Sequence, residues 1–157
     1  GFPPTENNLT QWVPRSARAK QDAERSVPHV EQATVKCGRS GGNGVYEVFV
    51  SIDKRLDGDP MNVICSVLGG RSQAKFCTVV DADVDLDDER QVNWALNTRV
   101  QPNRDVITFP TMTGGPLDPS GPHRQSERMG IDATIPLGDD RATYERVEVP
   151  GTDEVDW

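Results

Sequence analysis

The chain has 157 residues, which is enough for one domain of ordinary size with a core of its own. Its 25 acidic and 17 basic side chains give a formal net charge of -8, so a nucleic-acid backbone or an anionic membrane surface would repel it on average. It contains no run of 18 apolar residues and no basic-then-apolar leader. We therefore expect a cytoplasmic protein that has neither nucleic acid nor a membrane as a partner.

The first 30 residues have the composition of a connector. Prolines bracket a polar stretch over residues 1–14, which predicts an extended segment, and Ser16 is placed to cap a short helix from Ala17 to Arg25. A weak strand is predicted over Gln32 to Cys37. The glycine-rich run from Gly38 to Gly44 is typical of a hairpin turn.

The next segment has one strand pattern and one helix pattern. Alternating apolar residues predict a strand over Tyr46 to Ile52, with Phe49 on its other face. Asp59-Pro60 is typical of a helix start and Gly69-Gly70 of a helix end. The apolar stripe expected on this helix consists of Met61, Ile64, Val67 and Leu68.

A second strand and helix follow, joined by an acidic turn. Phe76 to Val80 is continuously apolar, which suits a strand buried on both faces. Asp87 or Asp88 is placed to cap a helix that runs to Arg99. The side chains that this helix should bury are Val92, Ala95, Leu96 and the stem of Arg99.

The remaining chain alternates between strand and loop patterns. A buried strand is predicted over Asp105 to Phe109, ended by Pro110, then a long loop over Thr111 to Met129 and a brief strand over Gly130 to Ile135. The whole order predicts an α/β fold, a single domain with a mostly parallel or mixed sheet flanked by helices, whose successive strands are parallel neighbours. We divide the chain into a connector and short helix (1–30), the α/β domain (31–137) and an acidic C-terminal tail (138–157).

Several motifs favour structural interpretations. The run Asp81-x-Asp83-x-Asp85-x-Asp87 resembles a calcium loop, but Leu86 stands where the sharp-turn glycine is needed, so a solvated acidic turn is favoured. His29 is expected to be an exposed loop histidine. The three cysteines have no metal spacing and are expected to be reduced structural thiols.

Two features are candidates for binding. Gly115, Pro116 and Leu117 lie in a loop whose glycines permit close backbone approach and whose prolines fix φ. Leu117 is either presented to a ligand or buried in the core of its own domain. Arg71, between a helix end and the central strand, is placed to reach an anion such as a cofactor phosphate.

Six blocks in this order resemble the C-terminal part of the UbiD family of decarboxylases. They are GFPPTE at 1–6, SIDKR at 51–55, AKFCTVVDADVDL at 74–86, VNWALNTRVQPNRDV at 92–106, GGPLDPS at 114–120 and RMGIDAT at 128–134. The resemblance implies reversible, non-oxidative decarboxylation of aromatic or α,β-unsaturated acids with prenylated flavin mononucleotide (prenylated FMN).

The resemblance also implies that the catalytic and cofactor sites lie in a different domain. In the family, the flavin-binding residues, the divalent-metal and potassium sites and the catalytic Glu-Arg-Glu (or Asp) set belong to the larger preceding domain. This chain therefore resembles the C-terminal domain alone, and we expect no catalytic residue and no bound cofactor or metal in it. Its expected partners are the flavin-binding part of the same enzyme, or a larger subunit, and further copies of itself.

The family's substrate loop matches Thr113 to Pro119, and its first and third positions touch the hydrocarbon part of the acid. Here those positions are Gly115 and Leu117; some relatives have a bulky aromatic residue at the first, so Gly115 implies a roomier site. The same domain resembles the family's dimerisation module. Two alternatives stay open: a separately encoded small subunit that completes an active site, and a non-enzymatic binding module that reuses the fold.

Overall fold

The computed structural model describes residues 6–37, 46–70, 74–115, 118 and 120–146. Within these ranges a five-stranded mixed sheet has the order β1-β2-β3-β5-β4 and carries helices on both faces, which confirms the predicted fold class. The elements are α1 (Glu6–Glu24), β1 (Val30–Cys37), β2 (Tyr46–Ile52), α2 (Asp59–Gly69), β3 (Ala74–Asp81), α3 (Glu89–Arg99), α4 (Pro102–Asp105), β4 (Val106–Thr113) and β5 (Gln125–Ala133), with short 3-10 turns at Pro122–Arg124 and Arg141–Tyr144.

Helix α1 overturns the prediction of an extended connector. It begins at Glu6 and continues through Pro14, although an interior proline removes one helical hydrogen bond. Packing offsets this cost, because Ala19 and Ala23 are fully buried in the main core cluster. Ser16 lies inside the helix rather than at its cap, and its Oγ accepts a hydrogen bond from the Val35 amide at 3.0 Å. The helix therefore covers the outer edge of β1.

The core lies on both faces of the sheet. On one face, α1 and α2 pack against Val48, Val50 and other β-branched side chains of the central strands. On the other face, α3 packs with Phe49 and Val80. The predicted faces of β2 are thus confirmed, and both are dry. In α2 the buried stripe includes Val63, whereas Met61 is only half-buried.

Strand β4 departs from the predicted order of parallel neighbours. Strands β2 and β3 are parallel, but β5 pairs parallel to β3, and β4 pairs antiparallel to β5 at the sheet edge. The side chains of β4 are half-buried or exposed rather than buried. Pro110 does not end the strand; a register shift between Phe109 and Met112 accommodates it, and an edge position tolerates a proline.

The acidic turn and helix α3 agree with the sequence. The Asp88 side chain caps the helix by accepting from the Arg90 amide at 2.9 Å, and Val92, Ala95 and Arg99 are buried. The two cysteines whose side chains are described, Cys65 and Cys77, are free thiols. Over the described residues, no helix is both long and apolar enough to cross a bilayer. The predicted hairpin turn at Gly38–Gly44 and most of the C-terminal tail lie outside the described residues.

Candidate functional site

The long loop predicted over Thr111 to Met129 is shorter in the structure and spans residues 114–121, because β4 runs to Thr113 and β5 begins at Gln125. It leaves the sheet after Thr113 and returns through the 3-10 turn to Gln125. Because β3 and β5 are parallel and both begin here, the β4–β5 loop lies at the amino edge of the sheet. The Arg128 side chain donates to the Thr113 carbonyl at 2.6 Å and to the Leu68 carbonyl, and so joins this edge to the end of α2.

Glycines allow the loop to approach the sheet closely. The Gly114 amide donates to the Arg124 carbonyl at 2.7 Å, and a Cβ at Gly114 would lie 2.8 Å from the Cβ of Ser126. Two tight turns follow, in which the Asp118 amide donates to the Gly115 carbonyl and the Gly121 amide to the Asp118 carbonyl, each at 3.2 Å. Backbone hydrogen bonds therefore hold Gly114, Gly115, Asp118 and Gly121.

The Asp118 carboxylate anchors the loop to the sheet. Its Oδ2 lies 3.0 Å from Nζ of Lys75 on β3 and accepts from the Ser126 hydroxyl at 3.1 Å, and its Oδ1 accepts from the amide and hydroxyl of Ser120 at 3.0 and 2.7 Å. We call Lys75, Asp118, Ser120 and Ser126 the loop anchor. The Ser120 hydroxyl, followed by the Lys75 ammonium, holds the pKa of Asp118 well below its usual range.

Of the predicted site residues, Gly115 is half-buried within the first turn of the loop. Pro116, Leu117 and Arg71 lie outside the described residues, so their roles stay predictions. The loop anchor itself was not predicted. Asp118-Pro119-Ser120 has an Asx-turn signature that indicates the Ser120 contacts, but no local pattern pairs Asp118 with Lys75, which lies 43 positions earlier.

A second group of charges lies at the opposite, carboxyl edge of the sheet. Arg99 donates to Asp81 at 2.9 Å and to Asp83 at 3.0 Å, and Arg141 lies 3.4 Å from Asp83. These charges neutralise one another. Among the described residues no group of three or more His, Cys, Asp or Glu side chains is arranged to hold a metal ion.

His29 differs from the expected exposed histidine. Its Nε2 lies 3.2 Å from Oδ2 of Asp59, and 15% of its side chain is exposed. The same Asp59 oxygen accepts from the amides of Arg55 and Leu56, at 3.0 and 2.9 Å, so this carboxylate organises the turn before α2. The pair therefore joins the residue that precedes β1 to the start of α2.

A family model described as the 3-octaprenyl-4-hydroxybenzoate carboxy-lyase C-terminal domain, UbiD_C, matches residues 9–133. The chain belongs to the UbiD C-terminal domain family. The match spans all five strands of the sheet and the whole β4–β5 loop. The resemblance based on the six sequence blocks is thereby confirmed.

Relatives of this UbiD C-terminal domain are decarboxylases. It is 36% identical over 138 residues to the anhydromevalonate phosphate decarboxylase of Aeropyrum pernix, covering 88% of this chain and 31% of the relative. It resembles the UbiD-class enzyme HmfF from Pelotomaculum thermopropionicum, solved in complex with FMN, with a TM-score of 0.83 and 34% identity over 96% of this chain and 33% of HmfF.

A further solved relative is the vanillic acid decarboxylase of Sedimentibacter hydroxybenzoicus in its open form. Its TM-score is 0.75 at 30% identity, and the match covers 98% of this chain and 33% of the relative. This UbiD C-terminal domain thus spans about a third of the length of the relatives it matches.

Proposed function

We propose that this chain is the oligomerisation and substrate-loop domain of a UbiD-type carboxy-lyase, which removes carbon dioxide reversibly and without oxidation from aromatic or α,β-unsaturated acids. The observation that carries the proposal is the β4–β5 loop, fixed by a buried carboxylate at one edge of a UbiD C-terminal domain. A rigid loop at a domain edge is suited to cover a substrate that is bound by a neighbouring domain.

In this proposal the loop acts by excluding water. Gly115 supplies backbone beside the acid, and Pro116 and Leu117 supply apolar surface. A drier site favours the loss of a carboxylate's charge as neutral carbon dioxide. Because a glycine occupies the first contact position, we expect a site that accepts bulkier acids than those of relatives with an aromatic residue there.

The cofactor would be held elsewhere. Prenylated FMN has a phosphate, but two of the cations at the loop edge are already engaged, because Lys75 binds Asp118 and Arg128 binds backbone carbonyls. Arg124 in the 3-10 turn is a single exposed side chain. Over the described residues no acidic or histidine cluster fits a divalent metal. The described part of this chain therefore does not fit the cofactor or its metals. We assign prenylated FMN, the divalent metal and potassium to the rest of the complete enzyme, with Arg71 as the one candidate contact from this chain.

The proposed partners are the flavin-binding part of the enzyme and further copies of the chain. Trp94 on α3 is 37% exposed and Leu56 is 68% exposed, so each offers apolar surface that a partner would cover in the assembled enzyme. One solved relative is an evolved dimeric form of HmfF. The alternative of a separately encoded small subunit stays open: the vanillic acid decarboxylase ShVdcCD has a second component, ShVdcD, although this chain matches 33% of a longer chain in that structure.

Replacing Leu117 by Ala in the complete enzyme tests the proposal. We expect the rate or the preference among acids to change, because the apolar surface over the acid is smaller. Leu137→Ala, at a 46% exposed leucine at the other edge of the sheet, is the matched control. Unchanged kcat/KM values for every acid in Leu117→Ala would remove the loop from the mechanism. The mass of the native polypeptide distinguishes a domain of a larger chain from a separate subunit.

A further inference from the structure

The loop anchor joins two parts of the domain. It connects Asp118 in the β4–β5 loop to Lys75, the second residue of the central strand β3, across 43 positions of the chain. We propose that the Lys75–Asp118 ion pair positions the loop over the substrate and thereby sets which sizes of acid the enzyme accepts. This inference rests on the function proposed above.

The geometry supports a positioning role for Asp118 rather than a catalytic one. The residue is 9% exposed, and both carboxylate oxygens accept hydrogen bonds from inside the domain. A carboxylate held in this way stays ionised near neutral pH, and so it is unsuited to take up and release a proton. Its contribution is to hold the backbone on either side of Pro119.

The composition of the loop explains why an anchor is needed. Gly114 and Gly115 have more backbone freedom than other residues, so the segment would sample many conformations if it were not fixed. The anchor reduces this freedom from two strands at once, because Lys75 is the second residue of β3 and Ser126 is the second residue of β5. Charge-assisted hydrogen bonds hold a geometry more firmly than neutral ones do. Removing the charge should therefore loosen the loop and leave the sheet intact.

The test compares Asp118→Asn and Lys75→Met with the unchanged complete enzyme. Hydrogen exchange of the amides in residues 113–121 reports on the loop, and the amides of β2 report on the sheet. We expect loop amides to exchange about tenfold faster or more, the change expected from losing one charge-assisted hydrogen bond, while β2 is unchanged. Lys75→Arg keeps the charge and should retain slow exchange.

Activity supplies the second measurement. The probes are crotonic, cinnamic, benzoic and 2-naphthoic acids, and the quantity compared is the ratio of kcat/KM between the two best substrates. We expect Asp118→Asn and Lys75→Met to reduce this ratio about fivefold or more, which is within the range that pocket contacts with small apolar groups supply. Lys75→Arg, which keeps the charge, should leave the ratio of kcat/KM values unchanged.

The matched control is Asp81→Asn, which makes the same chemical change in a buried ion pair at the other end of β3, roughly 20 Å away. It should lower stability without changing loop exchange or the substrate ratio. Ser126→Ala serves as a second loop variant if Asp118→Asn does not fold, because it removes one anchor hydrogen bond and no charge.

Two results would overturn the inference: loop amides that exchange at an unchanged rate in Asp118→Asn and Lys75→Met, or a loosened loop with an unchanged substrate ratio. Leu117→Ala distinguishes a failure of this inference from a failure of the proposed function. If Leu117→Ala changes the ratio and the anchor variants do not, the inference alone fails. If Leu117→Ala also leaves kcat/KM unchanged for every acid, the proposed function fails with it.

Discussion

Arg99 and Asp81 form an ion pair that is almost wholly buried at the carboxyl edge of the sheet. The Nη1 atom of Arg99 lies 2.9 Å from Oδ2 of Asp81, and the two side chains are 5% and 4% exposed. The same carboxylate oxygen accepts from the Ile135 amide at 2.8 Å, so the pair connects α3, β3 and the segment that follows β5. Because both side chains are buried, removing one charge would leave the other with a large desolvation penalty that its partner no longer offsets.

Arg99→Met should lower the free energy of unfolding by about 2–4 kcal/mol, because it leaves the buried Asp81 carboxylate with the half-exposed Arg141, 3.7 Å away, as its remaining cation. Urea unfolding followed by circular dichroism measures the change. Arg55→Met is the control: Arg55 pairs with Asp53 at 3.3 Å, but both side chains are more than half exposed, so its loss should cost less than about 1 kcal/mol. Equal losses in the two variants would contradict this account of the buried pair.

Gly130→Ala should destabilise the fold by about 1–3 kcal/mol through overpacking. A Cβ at this position of β5 would clash with the Cγ2 of Ile64 on α2 and lie 3.2 Å from that of Ile107. Adding Ile64→Ala should recover part of the loss, so the double variant is expected to be more stable than the sum of the single changes predicts. Gly69→Ala is the control, because a Cβ there meets nothing within 4 Å in the described structure. Simple additivity would argue against the clash.

The stability supplied by Asp118 should depend on pH. Its pKa is lower in the folded chain than the ordinary aspartate value of about 4, so its charge stabilises the fold fully above that value and the contribution is lost as the pH falls through the folded pKa. The difference in unfolding free energy between the chain and Asp118→Asn should be largest above about pH 4 and shrink below it. Urea unfolding at a series of pH values measures this difference. A difference that stays constant down to about pH 2 would contradict the assignment.

Gly115→Phe should narrow the range of acids that the complete enzyme accepts. The aromatic side chain would occupy space that the glycine leaves open, so kcat/KM for 2-naphthoic acid should fall about tenfold or more relative to crotonic acid. Gly138→Phe is the control, since a Cβ at Gly138 meets nothing within 4 Å among the described residues and this glycine lies beyond β5. Because φ at Gly138 is +98°, stability is measured in parallel for both variants. An unchanged ratio in Gly115→Phe would place position 115 away from the acid.

The isolated chain should carry no flavin. Lys75 and Arg128 at the loop edge are engaged within the domain and Arg124 is a single exposed side chain, so tight binding of a flavin phosphate is not expected without the neighbouring domain. The measurement is the visible absorbance of the purified chain after incubation with FMN and desalting. A retained flavin band would move part of the cofactor site into this domain.

The sequence predicted those elements whose signals are local. Strand β2, helix α2, strand β3 and helix α3 were found from apolar spacing, from the Asp88 cap and from the glycines at 69–70. The start of α1 was wrong, because Pro14 was taken as evidence against a helix that packing on β1 stabilises. Spacing along the chain does not determine which strands pair, and so the insertion of β5 between β3 and β4 was missed.

The candidate site was likewise predicted where its signal is local and missed where it depends on strand pairing. Its position in the β4–β5 loop was predicted from glycines and prolines that change the local composition. The Lys75–Asp118 contact joins two residues that are distant in the sequence, and neither lies in a motif that indicates the other. Only the pairing of β3 with β5 brings them together, and that pairing depends on the whole sheet.

The most direct measurement is a crystal structure of the complete enzyme with an acid bound. The account predicts that atoms of residues 115–117 lie within about 4 Å of the hydrocarbon part of the acid, with the Lys75–Asp118 ion pair intact behind them. It would be contradicted if Leu117 packed into the core of its own domain, or if the loop faced solvent away from the bound acid.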